Sequence, residues 1–495
     1  MASVPRLAAG AVALLALSCQ TAGAHAFGTM YVLPIPLWMY AYSASATLIV
    51  SFAVVGIFVT HKSAVPRASV PPPERQESAR PGIAIRVAGA ASVALLALTI
   101  ATGLFGTANP ATNFGMTFFW IVFILGFAYL TAFIGDVYAA INPWAVVIRW
   151  VERAWPRAFA SRITYPRRLG YWPSVAFYGL FIWIELFGHF GPRALGTALA
   201  AYCVLTIALA WLFGKEAWFR YGEFFGLFFR LIAAMAPVGR EERAGSIRLV
   251  PRKPFLGLLR EPAERMSLAL FALFTLSSTA FDGVHETSFW VDLYWRRVWP
   301  FLAPLIDGHV SNIYAASTEV LRVWQSLMLV LSPFVYLAVF LLFSALTKWA
   351  ARSELSVREL ALRFVLTLVP IAFVYNVTHY YTLLLTEGPN IIRLVSDPFG
   401  FGWNLFGTRD GELPNLLPQA GSIWHFQVAL ILIGHIVSVY LAHVEALRLF
   451  ADRGRAVRSQ VPMLLLMVAL TTIGLWILSL PIDSGAVVVP FQEDA

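Results

Sequence analysis

An all-α, polytopic membrane protein is the fold class this sequence predicts, and three observations lead to it. Hydrophobic residues make up 59% of the 495 and charged residues only 13%, with a mean hydropathy of +0.71, which lies outside the range of soluble domains. Apolar runs of roughly 20 residues, the length that crosses about 30 Å of hydrocarbon, recur along the whole chain. The runs are continuous rather than alternating, so they do not read as barrel strands, and lipid would leave the edges of an open sheet unpaired.

Taken in order, residues 1–24 have the pattern of a secretory signal peptide: Arg6, an apolar run over 7–17, then Ala22-Gly23-Ala24 or Ala24-His25-Ala26 as small-residue cleavage sites. Cys19 lies in this segment as a candidate for lipid attachment, with Ala16 where a lipobox usually has Leu. The other cysteine is Cys203, so the mature chain 25–495 has neither a disulfide framework nor a thiolate metal cluster. About ten spans of one helical domain follow, near 37–60, 87–106, 114–135, 171–190, 196–214, 266–283, 325–347, 362–386, 423–447 and 461–481. Within the connection 61–85, "PRASVPPPERQESARP" over 66–81 is a Pro-rich linker. "WAVVIRWVERAWP" (144–156) and "FFGLFFRLIAAMA" (224–236) are short apolar segments flanked by base, expected to lie along the membrane interface.

Lys and Arg collect in every connection after an odd-numbered span, including Arg149, Arg153, Arg157, Arg162, Arg167 and Arg168 after the third and the basic loop 215–265 after the fifth. The positive-inside rule makes these cytoplasmic and places the loops 284–323 and 387–420 on the opposite, outer side of the membrane. The net charge of +9 is then explained by contact with the lipid bilayer's inner leaflet, and no nucleic-acid partner is implied.

The polar residues within and beside the spans carry the chemistry. Of nine histidines, seven fall toward the outer side. His379 sits in "VYNVTHYYTLLL" on the eighth span among Tyr375, Thr378, Tyr380 and Tyr381, and His435 lies near the middle of the ninth. These two spans run antiparallel, which predicts that both imidazoles come within about one helical turn of the same depth. Glu185 and His189 are four apart at the end of the fourth span, a spacing that suits paired metal ligands or an ordinary hydrogen-bonded pair. Asp282, His285 and Glu286 close the sixth span, His425 stands at the outer mouth of the ninth, and His309 and Asp397 lie in outer loops, Asp397 beside Gly400, Gly402 and Gly407. Asp136, Asn142, Lys215, Glu216 and Glu223 read as cytoplasmic structural anchors, and His443 as an interfacial side chain.

Imidazole and carboxylate together are ligands for a divalent metal ion that lowers the pKa of bound water toward about 7. The candidate ligands are His379, His435, His189, Glu185 and His425, with Asp282, His285 or Asp397 as further ligand or general base. No G-x-S-x-G, H-E-x-x-H, P-loop or C-x-x-C occurs, so a serine hydrolase, zincin, NTPase or thiol redox enzyme is unsupported.

From residue 24 to 481, "LPIPLWMYAYSASATLIVSFAVVG", "GDVYAAINPWA", "GKEAWFRYGEFFGLFFRL", "STAFDG", "THYYTLLL", "SDPFGFGWNLFGT", "FQVALILIGHIVSVYLAH" and "PMLLLMVALTTIGLW" resemble the bacterial membrane proteins called fenitrothion hydrolase. The resemblance implies an organophosphorus hydrolase that cleaves the aryl ester of a hydrophobic phosphorothioate triester to release a nitrophenol. Where this chain has Asn404 the family commonly has Asp. The alternatives are a multi-span transporter or metal permease, for which midplane polar residues are equally natural, and an assembly factor handling metal through His25.

Overall fold

A computed structural model describes residues 36–59, 82–188, 190–243, 246–260, 263–306 and 312–480. The signal segment with Cys19 and His25, His61, the Pro-rich linker, His189 and His309 lie outside the described residues.

The chain forms α1 (Leu37–Phe58), α2 (Ile83–Phe105), α3 (Phe114–Ile134), α4 (Tyr138–Ile141), α5 (Pro143–Ala154), α6 (Trp172–Phe187), α7 (Pro192–Phe213), α8 (Lys215–Tyr221) and α9 (Phe224–Ala233). After a hairpin of β1 (Val238–Arg243) and β2 (Ser246–Pro251) come α10 (Met266–His285), α11 (Ser288–Leu293), α12 (Trp299–Ile306), α13 (Ile313–Ala351), α14 (Val357–Phe364), α15 (Val369–Glu387), α16 (Ile391–Leu394), α17 (Ala420–Leu449) and α18 (Arg453–Ser479). Among the described residues nine helices are long and apolar enough to cross a membrane. The fourth predicted span, α6, is an apolar helix of 16 residues. An all-α polytopic membrane protein is therefore what the sequence builds.

Local chemistry sets where these helices begin. Pro143 and Pro192 occupy first turns, where a missing N–H costs nothing. Asn142 and Asp452 accept from backbone N–H groups at the starts of α5 and α18, and Ser356 with Glu359 forms a capping box on α14. The spans do not share burial equally. Within an 18-residue window of each span, 78% of the residues are buried in α10 and 72% in the stretch 357–394, against 11% each in α1 and α2. Helices α10 and α15 are thus the centre of the bundle, packed against each other and flanked by α3, α6, α13, α17 and α18.

Two segments depart from the sequence reading. The stretch 224–236 does not lie along a surface: Phe225, Leu227, Phe229 and Ala236 are 2% exposed or less. With α8 it forms a hairpin that enters the bundle from the end carrying the arginine-rich connections, here called the basic end, and returns. The segment 135–154 makes a similar excursion through α4 and α5. Each starts at a glycine with positive φ, Gly135 at 87° and Gly214 at 85°, a backbone that side-chain-bearing residues rarely adopt. Asn142 and Glu223 are their tips. Glu223 is bonded to Tyr202, 11 residues from the basic end of α7 or about 16 Å along its axis, half the depth of a bilayer.

Candidate functional site

The site forms where α6, α10 and α15 approach one another near the end of the bundle opposite the basic one. Asp282 lies in the last turn of α10, where its side chain is 3% exposed. Two donors from α15 converge on one of its oxygens: His379 Nε2 at 2.7 Å and the Tyr380 hydroxyl at 2.5 Å from Oδ2. Adjacent residues on a helix diverge by about 100°, so α15 must straddle Asp282 for both to reach it. Glu185 of α6 lines the same cavity as Tyr380. Glu185, Tyr380, Asp282 and His379 therefore form one polar chain drawn from three helices, hydrogen-bonded from Tyr380 through Asp282 to His379.

The two ends of that chain differ. Glu185, Asp282 and Tyr380 line an internal cavity together with Asn376, Ser278, Thr279 and Tyr178, otherwise walled by Phe, Ile and Leu side chains. Its volume is about 30 Å³, room for about two water molecules. At the other end, the His379 side chain is 23% exposed. Its Nδ1 makes no hydrogen bond among the described residues, and the Nδ1–Cε1 edge lies beside Gly283 in the last turns of α10. With Nε2–H donating to Asp282, Nδ1 is left with a free lone pair. The imidazole thus connects a buried carboxylate to an accessible nitrogen.

Supporting contacts hold the frame. Tyr129 of α3 donates to Asn376 Oδ1 at 3.2 Å, Tyr178 and Ser278 pair at 3.0 Å, and Gln427 Nε2 of α17 donates to Thr378 O at 2.8 Å. His285 turns back to bond the carbonyl of Asp282 through Nδ1 at 2.8 Å and stacks on Phe281. It steadies the end of α10 and its Nδ1 remains 3.8 Å from Asp282 Oδ1.

Of the residues singled out from sequence, the structure joins Asp282, His379 and Glu185 and places His285 beside them; the others do not assemble. His435 is fully buried, but its Nδ1 bonds Ile431 O at 2.9 Å and its ring abuts Tyr375. The reason is register: Gln427 is level with Thr378, so His435, eight residues farther along α17, lies about 12 Å deeper. The expected match of depth between His379 and His435 is wrong by two turns of helix. His425 is exposed and bonds Gly421 O. Asp397 spends its carboxylate on the backbone N–H groups of Phe401 and Gly402, at 2.9 and 2.8 Å, and so organises its own loop. His189 lies outside the described residues.

Two further corrections concern residues read as anchors at a cytoplasmic surface. Asn142 and Glu223 are 4% and 1% exposed and bond each other at 2.9 Å. The Glu223 carboxylate also accepts from Phe225 N, Gly226 N and Tyr202 Oη. His443 is fully buried between Gln460 and the carbonyl of Val59. Tyr380 is the member of the chain that sequence reasoning left without a role, although it stands next to His379.

Among the described residues no group of three or more His, Cys, Asp or Glu side chains is arranged to hold a metal ion. Asp282 and His379 point their donor atoms at each other rather than at a common point, His285 turns its Nδ1 to the Asp282 carbonyl, and His425, His435 and His443 bond elsewhere, so the described side chains do not fit a resident metal. No family model, no curated protein and no solved structure matches the chain.

Proposed function

We propose that the chain is a membrane-bound hydrolase of oily phosphorothioate triesters of the fenitrothion type, set in a bacterial inner membrane with its reactive end toward the periplasm. The observation that carries the reading is the chain Glu185–Tyr380–Asp282–His379, which leads from a water-sized buried cavity to an accessible imidazole. Ionisable groups inside a membrane span are costly and concentrate at functional sites.

A water in the cavity lies against Glu185, which takes its proton as oxygen attacks phosphorus and the P–O aryl bond breaks. A nitrophenolate leaves unaided because it is a weak base, so a general base is the group most needed. The abstracted proton must then leave a buried site. Tyr380 receives it from Glu185 and gives its own to Asp282; a half-turn of the His379 ring then brings the Nδ1 lone pair to Asp282 to accept that proton and turns Nε2–H outward to give up its own. The products are a thiophosphate diester and a nitrophenol, with one water consumed. The step is assigned to side chains alone, since the donor set does not fit a metal.

The second reading, a proton-coupled transporter, draws support from the two re-entrant hairpins, because non-helical backbone at membrane depth is tolerated where it is buried in protein or lines a cavity. Washed membranes containing the protein, mixed with fenitrothion and followed by phenolate absorbance, separate the two. Release that disappears in Glu185→Gln is the expected result. No release from well-folded wild-type protein removes the hydrolase reading in favour of transport.

A further inference from the structure

With Glu185 and Asp282 both ionised, the internal cavity holds more negative charge than its walls balance. Among the described residues that line it, none is Lys, Arg or His. The basic group beside it is His379, which donates Nε2–H to Asp282 without being part of the lining. A neutral His379 leaves two negative charges, and a protonated one still leaves one. A carboxylate taken out of water persists only where a positive charge or enough hydrogen bonds stand against it. Oδ2 of Asp282 has such bonds, from His379 and Tyr380. Oδ1 accepts none among the described residues: His285 Nδ1 stands 3.8 Å away and is already bonded to the Asp282 carbonyl.

The remaining polar lining supplies oxygens. Ser278 and Thr279, 2% and 7% exposed, lie one turn before Asp282 on α10. Each directs its hydroxyl hydrogen at the carbonyl of Thr275, at 3.4 and 3.3 Å, which keeps oxygen lone pairs for another partner. Asn376 Oδ1 accepts one hydrogen bond, from Tyr129, and retains a second lone pair. Two carboxylates, two hydroxyls and an amide from three helices thus make an all-oxygen lining, the donor type of hard cations. The imidazoles that fail to converge on a divalent ion take no part in it. The volume of about 30 Å³ admits one dehydrated ion and one water. Since His379 and Tyr380 already answer one carboxylate, a single positive charge is missing.

We infer that the cavity is a sodium site, in which one Na⁺ lies between Glu185 and Asp282 with a water beside it. Carboxylates are strong-field ligands and favour Na⁺ over the larger K⁺. The inference rests on the hydrolase reading in one respect, that Glu185 works as an ionised base. The ion is an exchangeable counter-charge and not a Lewis acid: it keeps the base ionised and holds the attacking water against it, and proton transfer remains with the side chains.

The probe is radioactive Na⁺, measured by equilibrium binding to the purified full chain in nanodiscs with no ester present. One ion per chain is expected, displaced by unlabelled Na⁺ and not by K⁺ or choline at the same concentration. Thr279→Val removes one oxygen with little change of shape and should weaken binding about tenfold, and Glu185→Gln, which removes a charge, should abolish it. Phenolate release is read in parallel: it rises with Na⁺ to a plateau, and Thr279→Val needs about tenfold more Na⁺ to reach half of its own plateau. No binding by a chain that elutes as the wild type does, equal displacement by K⁺, displacement by Ca²⁺ far below the Na⁺ concentration, or binding that neither variant weakens overturns the inference. Selective binding without phenolate release sustains the sodium site and sinks the hydrolase reading. Release that is the same in Na⁺ and in choline sinks the site and leaves the hydrolase, so the two failures are distinct.

Discussion

Glu223 and Asp282 are both carboxylates buried at membrane depth, 1% and 6% exposed, yet their surroundings assign them opposite roles. Glu223 accepts from two backbone N–H groups at the start of α9, from the Asn142 amide and from the Tyr202 hydroxyl. None of these donors titrates near neutrality except at great cost, and together they fill its acceptor sites. The result is a clasp joining the tips of two re-entrant hairpins, with the carboxyl oxygens set against the N-terminus of α9. Asp282 instead takes its hydrogen bonds from an imidazole and a phenol, stands across a cavity from a second carboxylate, and shares a partner that is reachable from outside. A saturated carboxylate stabilises; one wired to exchangeable protons can do chemistry.

That contrast is open to breakage, and the largest effect is expected at the wired site. Asp282→Asn should lower phenolate release by about 10³-fold, within the span attributed to acid–base groups, with expression and thermal stability close to wild type. A loss of folded protein instead would make Asp282 a clasp like Glu223. The mirror-image result is expected for Glu223→Ala, which strands Asn142, Tyr202 and two backbone donors and should cost about 3–5 kcal/mol of stability, visible as a large drop in melting temperature. Activity per folded molecule should stay within a few-fold, and Glu223→Gln, which keeps two acceptor positions on one oxygen, should recover part of the stability.

Smaller effects sharpen the picture. Asp397→Ala removes two charge-assisted bonds to Phe401 and Gly402 at a partly open loop and should cost about 1–2 kcal/mol, with phenolate release unchanged; a collapse of activity would restore Asp397 to the reacting centre. His435→Leu deletes a buried imidazole whose Nε2 has no partner among the described residues. It should leave activity intact and stability within about 1 kcal/mol, whereas a metal ligand would lose all turnover. Treatment with chelator should likewise leave release within about twofold, and a loss reversed by added zinc would reinstate a metal.

The gross fold was legible because span length and loop charge are properties of the sequence itself: the apolar runs and the arginine-rich connections align with the helices and with one end of the bundle. Part of the site was legible too. Glu185, Asp282 and His379 all sit toward the same end of the bundle, which counting residues along their spans shows, although His379 lies several residues farther from its helix end than the other two. What counting cannot supply is the register between neighbouring helices, and an offset of two turns sends His435 to Tyr375 instead of to His379. The hairpin tips were missed for a related reason. An apolar segment of 10–14 residues fits an interfacial helix and a re-entrant one equally, and Phe224, Phe225, Phe228 and Phe229 fall within about 140° of arc on α9 with Arg230 on the far side, the amphipathic pattern of a helix lying at the interface.

The accessible edge of His379 gives the most direct test. His379→Ala removes the proton exit and leaves a hole next to Gly283 through which a small base can enter, so release of nitrophenol should fall about 100-fold and be partly restored by added imidazole, with chelator present throughout. Turnover equal to wild type in this variant, or activity recovered by a divalent metal and not by imidazole, would contradict a hydrogen-bonded chain of side chains as the reacting centre.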